Sequence, residues 1–315
     1  MDIGCVGLES PRGKSGLMGK RLQRMAYLSW TKSIFSLIFV AAPVAALSGP
    51  MTIGQTSEKS LDPVMGVVWQ LDDATVHPIG NWQKIGAHRL IVQWTYVDGK
   101  SYFAQAKLPT HPVLPDWARI AKQLWAREAI LGLAGEFDEN LARESVEALV
   151  TISKKVLVAA RASGLNIVGW YFPVEVDPTW RNAAQLRSQL ASLPRPLWIS
   201  VYDRGNIGPE PFADWLATWL PEDVGVLFHD GVGTAAREPR IARQYADELR
   251  GRIGSDRLGL IAEAFRKSDK PDFRPATANE LIFQLAAYRG HVVYLFDGPH
   301  YISREIVDII AKQFQ

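Results

Sequence analysis

Beyond residue 60 the chain alternates short apolar runs with longer amphipathic stretches, and that alternation restricts its fold more than any other feature. The runs are 64–70 (VMGVVWQ), 89–95 (RLIVQWT), 129–134 (AILGLA), 166–173 (NIVGWYFP), 196–202 (PLWISVY), 224–229 (VGVLFH), 257–262 (RLGLIA) and 291–296 (HVVYLF). Near-continuous apolar runs of this length read as strands buried on both faces. Helical segments between them make βα units around a parallel sheet. The spacing predicts helices over 115–127, 140–163, 180–191, 210–219, 237–251, 277–289 and 303–314, with a short, irregular first connection around Asn81 to Ala87. Eight strands with seven helices fit a closed α/β barrel, (β/α)8, better than an open sheet. Residues 60–315 are the usual size of one such barrel, about 250 residues. No internal repeat or linker divides them, so a single domain is expected.

Residues 1–49 read differently. Lys20, Arg21 and Arg24 precede the apolar run Ile34 to Leu47, IFSLIFVAAPVAAL, and small residues follow. A basic segment, a short apolar core and small residues at Val44 and Ala46 fit a secretory signal, or a membrane anchor if it stays uncleaved. A periplasmic or secreted location is the expectation, with membrane contact only through this segment. The only cysteine, Cys5, precedes the proposed cleavage, so no disulfide framework or thiol nucleophile is expected in the mature protein. The net charge of +2 and the absence of a basic stripe argue against a nucleic-acid partner.

Barrel active sites lie where the strands end and the following loops begin. The residues delivered there are Asp72 and Asp73, Glu136 and Asp138, Glu175 and Asp177, Asp203 and Arg204, His229 and Asp230, Glu263, and Asp297 and His300. Acidic residues at such positions also cap the next helix, so some have a structural role. Glu175 and Glu263, after strands four and seven, lie across the barrel from one another. Two carboxyls flanking a ligand suit glycoside cleavage, in which one protonates the leaving oxygen and the other attacks the anomeric carbon or activates water. Other chemistries lack their motifs: no HExxH or HxH favours a metal, no GxSxG a serine nucleophile, and no Walker A loop or GxGxxG a nucleotide. HDGVG at 229–233 is too short to count. No metal or cofactor is expected.

Acidic residues after strands four and seven resemble the large clan of retaining glycoside-hydrolase barrels. The resemblance implies Glu175 as acid/base and Glu263 as nucleophile. Where that clan usually carries Asn before the strand-four Glu, this chain has Val174. The stretch WYFPVEVDPTW, with its aromatic–Pro–x–Glu–x–Asp pattern, is more similar to an uncharacterised bacterial family of glycoside-hydrolase-like TIM barrels. That similarity extends to IVQWT, LGL and the strand-eight motif.

Eleven tryptophans are a high count, and flat sugar faces stack on such rings. Trp69, Trp94, Trp170, Trp180 and Trp198 fall on or beside strand ends, and Trp180 follows Glu175 most closely. Large rings also fill cores, which is the competing reading for each. The expected substrate-binding set is Trp69, Trp94, Glu136, Trp170, Asp177, Trp180, Tyr202, Asp203, His229, Asp230 and Asp297. Asp177 or Asp203 would tune the acid or hold a hydroxyl, and Asp297 would position one. The expected function is an exported glycoside hydrolase acting on a poly- or oligosaccharide, in exopolysaccharide or cell-wall glycan metabolism. The alternative is a non-catalytic barrel that binds an exported polysaccharide or a secretion-complex partner.

Overall fold

The computed structural model describes residues 60–269 and 272–314. The expected signal or anchor segment lies outside them. Among the described residues no helix is long and apolar enough to cross a membrane.

Eight parallel strands close into a barrel in chain order: β1 (Gly66–Trp69), β2 (Arg89–Val92), β3 (Glu128–Gly132), β4 (Ile167–Val176), β5 (Leu197–Val201), β6 (Val224–His229), β7 (Leu258–Glu263) and β8 (Val293–Phe296). Each expected run overlaps one of them, with β3 starting one residue earlier and β4 and β7 running on to Val176 and Glu263. Successive side chains alternate between the barrel interior and the helical layer. Inside lie Val68, Ile91, Ile130, Tyr171, Leu227, Ile261, Tyr294 and Phe296, with Trp198 packed against them. Their outward neighbours, including Val67, Leu90, Phe172, Ile199, Phe228, Leu260 and Leu295, join the larger core beneath the helices.

The helices are α1 (Trp117–Ile120), α2 (Glu139–Glu144), α3 (Val146–Ala160), α4 (Leu186–Leu190), α5 (Pro209–Trp219), α6 (Pro239–Ile253), α7 (Ala278–Ala287), α8 (Gly298–Tyr301) and α9 (Arg304–Ala311). Two expectations are corrected here. Segment 115–127 is one α-helical turn followed by a 3-10 turn, Leu124–Ala126, because Gln123 is extended. The extended residue lets Trp125 reach the core, where it meets Trp82 edge-on at 4.9 Å. Segment 140–163 breaks at Ser145, whose φ of −105° and ψ of 12° are not helical, so the short α2 leaves the line of α3.

The first βα unit has only a 3-10 turn, Trp82–Ile85, where its helix would lie. Trp82 fills that gap. It is fully buried, and its indole N–H donates to the Ile302 carbonyl at 3.2 Å. Trp82→Ala is therefore expected to lower the unfolding free energy by about 3–5 kcal/mol, the usual cost of emptying a large aromatic site. Trp82→Phe, which keeps most of the packing but orphans that carbonyl, should cost about 1–3 kcal/mol. Denaturant titration of both variants checks the ordering.

Candidate active site

Pro173 has no amide hydrogen to give to a ladder, and the β4–β5 register breaks around it. Phe172 pairs with Ile199, but the next pair is Val176 with Val201, so β4 carries two extra residues. A bulge of this kind re-aims the residues it contains. Phe172, Val174 and Val176 still face the helices, which leaves Glu175 on the interior side with Tyr171. Alternation from Trp198, Leu227 and Ile261 places Tyr202, His229 and Glu263 on the same side. Four neighbouring strands thus send Glu175, Tyr202, His229 and Glu263 to the interior at the barrel mouth.

Glu175 keeps 14% side-chain exposure and sits in a charged cluster drawn from three loops. Arg143, on α2, donates to the Glu175 carbonyl at 3.0 Å and to Asp177 at 2.5 Å, and forms an ion pair with Glu139. Arg204, after β5, bonds Glu139, and the same Nη2 stands 3.7 Å from Glu175 Oε1. The Arg143 guanidinium also lies 5.4 Å over the ring of Trp180, which is half-buried. Burial and the charges of Glu139 and Asp177 outweigh the two arginines and push the Glu175 carboxyl up to about 8.

Glu263 is fully buried at the end of β7. Its Oε2 accepts the Thr234 amide at 3.1 Å, whereas Oε1 has no hydrogen-bond partner among the described residues. Burial and Asp230 push this carboxyl up to about 8, against the amides of Thr234 and Gly233 and the Arg237 guanidinium. Only glycine fits at 233, because a Cβ there would meet Glu263 Cβ at 2.8 Å. Tyr202 lies in the electrostatic field of both carboxyls; burial and the two acids raise its phenol, while Thr234 and Arg237 oppose them. Arg237 stacks 5.0 Å over the Tyr202 ring and donates to the Asp203 carbonyl at 2.6 Å.

Much of the expected binding set points the other way. Trp69, Trp94 and Trp170 lie in the buried layer between strands and helices. The indole N–H groups of the first two donate to Thr75 at 3.0 Å and to the Leu71 carbonyl at 2.8 Å. None of the three can offer a ring face to a ligand. Asp203, Asp230 and Asp297 are buried and hydrogen-bonded within the fold. Asp203 accepts from Tyr245 at 2.7 Å. Asp230 accepts from Gln284 at 2.5 Å, from Tyr288 at 2.7 Å and from the amides of Val232 and Glu263. Asp177 is buried beneath Arg143 and bonded to Thr179, so it can tune Glu175 but not touch a ligand. Glu136 pairs with Asp98 on the hairpin after β2, and burial and that neighbour push it up to about 7. Burial takes His229 down to about 4, so its imidazole is neutral, with its ring edge-on to Phe296 at 5.6 Å. Glu139, Arg143, Thr234 and Arg237 were absent from the expected set. The one sequence signal among them was the Glu139–Arg143 pair at i,i+4.

Asp297 caps α8 and, with Asp72 of the first loop, holds His300. The imidazole bonds Asp297 at 2.8 Å and Asp72 at 3.1 Å. Among the described residues no three His, Cys, Asp or Glu side chains converge as metal ligands.

No protein-family model matches the sequence, and no curated protein does. Among solved structures the chain is similar to one described as a "putative alpha-L-fucosidase" from Bacteroides thetaiotaomicron. That likeness has a TM-score of 0.61 and 16% identity over 87% of this chain and 99% of the other. A second similar structure is the glycoside hydrolase domain of PgaB (BpsB) from Bordetella bronchiseptica, with 13% identity over 80% of this chain and 99% of that one. Its TM-score is 0.42. The first likeness shows the fold: a (β/α)8 barrel of the kind found in that glycosidase-described protein.

Burial disfavours the imidazolium of His300, yet Asp297 and Asp72 raise it to about 10, far above its unfolded value near 6.5. This charge stabilises the fold fully below pH 6.5, and the contribution is lost as pH rises through 10. His300→Gln is expected to cost about 3 kcal/mol near pH 6, as for breaking a buried charge cluster. The deficit relative to wild type should shrink steadily between pH 6.5 and 10, which urea unfolding across that range would show.

Proposed function

We propose that the protein is a retaining glycoside hydrolase with Glu175 as acid/base and Glu263 as nucleophile. The observation that carries this reading is the pair of inward carboxyls at the ends of β4 and β7, joined electrostatically through Tyr202. Burial holds both carboxyls up to about 8, and the groups around them differ. Glu175 faces two further acids, Glu139 and Asp177, which favour its protonated form. Glu263 receives two backbone amides and the field of Arg237, which favour its ionised form, and one oxygen has no hydrogen-bond partner among the described residues. In the first step Glu175 gives its proton to the glycosidic oxygen. The bond from the anomeric carbon to that oxygen breaks as a Glu263 oxygen bonds the carbon, forming a glycosyl ester. In the second step Glu175, now ionised, takes a proton from water. The water oxygen attacks the anomeric carbon and Glu263 leaves as a carboxylate.

The substrate class is a poly- or oligosaccharide, with Trp180 and Tyr202 at the mouth as stacking surfaces. The similarity of the WYFPVEVD stretch to glycoside-hydrolase-like barrels supports the same assignment. Export is part of the proposal, supported by the basic residues and apolar run before residue 49. It places the reaction among exported or cell-wall glycans.

A second reading is a non-catalytic barrel that binds glycan. The complete burial of Glu263 favours it, because a sugar reaches that carboxyl only if a covering group moves. Hydrolysis separates the two. Wild-type protein, Glu175→Gln and Glu263→Gln are incubated with a panel of bacterial and plant glycans, and released reducing ends are measured. The expected result is release by wild type, a fall of about 10²–10⁴-fold in Glu175→Gln, and loss to background in Glu263→Gln. NMR of the first product should show the anomer of the substrate. The wild-type kcat/KM should follow a narrow bell near pH 8, rising as Glu263 ionises and falling as Glu175 gives up its proton. No release from any glycan assigns the barrel to binding alone, and release surviving both substitutions removes Glu175 and Glu263 from the chemistry.

A further inference from the structure

Glu139 lies outside the pair of carboxyls assigned to the chemistry, yet its position governs one of them. It is the first residue of α2, set there by the Asp138 cap, whose side chain accepts the Asn140 and Leu141 amides at 2.9 and 3.0 Å. From that point its carboxylate is held by Arg143 and bonds Arg204. The Arg204 nitrogen that bonds Glu139 is the one 3.7 Å from Glu175, just beyond hydrogen-bonding reach. Nε of the same guanidinium is 3.9 Å from Asp177, which is already bonded to Arg143 and Thr179. The charged or titratable groups around Glu175 are therefore Glu139 and Arg143 from α2, Asp177 beyond β4, Arg204 after β5, and the phenols of Tyr171 and Tyr202. Arg204 is the cation of the set that comes within 4 Å of the Glu175 carboxyl without bonding it, while its bond to another carboxylate is made.

We propose that Glu139 is a positioning residue that acts through Arg204: it draws the guanidinium off the Glu175 carboxyl so that this carboxyl keeps its proton, and releases it toward Glu175 once the proton is gone. The inference rests on the reading of Glu175 as the acid, and it supplies the device by which one carboxyl serves as acid in one step and base in the next. In the resting state Arg204 belongs to Glu139. When Glu175 has donated its proton, its new charge competes for the same N–H, and a shift of under about 1 Å closes a normal hydrogen bond.

The test needs no substrate. The full chain, carrying glutamate labelled with ¹³C at the carboxyl, is titrated by NMR, and the Glu175 signal is identified by its absence in Glu175→Gln. In Glu139→Gln the guanidinium is free to pair with Glu175, so the titration midpoint should fall by about one pH unit or more. In Arg204→Gln it should rise. In the double variant Glu139→Gln, Arg204→Gln most of the Glu139 effect should vanish, because the carrier is gone. Glu139→Asp, with a shorter reach and the same charge, should give a smaller fall, and it keeps the test open if the amide variant does not fold. An unmoved midpoint in both Glu139 variants overturns the proposal. So does an equal fall with and without Arg204, which a purely direct Coulomb effect would produce. A shifted midpoint in a protein that cleaves no glycan would defeat the hydrolase reading and leave this coupling intact; cleavage with an unmoved midpoint would do the reverse.

Discussion

When eight strands close on themselves, every strand side chain has two directions available, into the barrel or out toward the helices. The interior is already filled by one set, from Val68 round to Tyr294, and the outer face by another. Beyond the last interior layer the inward positions stop being core and become the floor of the mouth. That is where Glu175, Tyr202, His229 and Glu263 arise, on four consecutive strands. The outward positions of the same strand ends run into the helical layer, and there Asp203, Asp230 and Asp297 hold loops and helices in place. Chemistry and architecture are thus interleaved along each strand, one residue apart.

Burying the inward carboxyls carries an electrostatic cost, and the two are stabilised by different means. Around Glu175 three carboxyl groups, those of Glu139, Glu175 and Asp177, meet two guanidinium groups, those of Arg143 and Arg204. One negative charge is in excess when all are ionised, and a proton on Glu175 removes it. Around Glu263 the compensation comes mainly from backbone amides, which cannot move without the loop that carries them. Burial raises both carboxyls, against movable guanidinium groups at Glu175 and fixed main-chain amides at Glu263.

The barrel was legible in the sequence because strands buried on both faces leave an uninterrupted apolar run, and all eight runs do so. Helices were less legible where a large residue is drawn into the core. Trp125 reaches Trp82 by an extended Gln123, and no helical periodicity reports that. At the mouth, the placement of Glu175 and Glu263 was readable from the apolar runs that they follow. Period two, applied to the same runs, separates Trp69, Trp94 and Trp170 from the mouth, since each is out of phase with its strand's inward residues. Proximity to a strand end had placed them in the binding set. Arg143, Arg237 and Thr234 were not readable by any such rule. Their positions depend on how loops from different strands approach one another, and local sequence carries little of that information.

Asp230 shows what the outward half of this division does mechanically. The side chain that follows β6 takes hydrogen bonds from Gln284 of α7, from Tyr288 at the end of that helix and from the main-chain amide of Glu263 on β7. Three elements that meet late in the chain are thereby tied at one point, and opening any of them breaks bonds belonging to the other two. β6, β7 and α7 should then open and close as a single cooperative block. The carboxyl at the floor of the mouth shares that block's slow opening rather than the faster fluctuations of the loops around it.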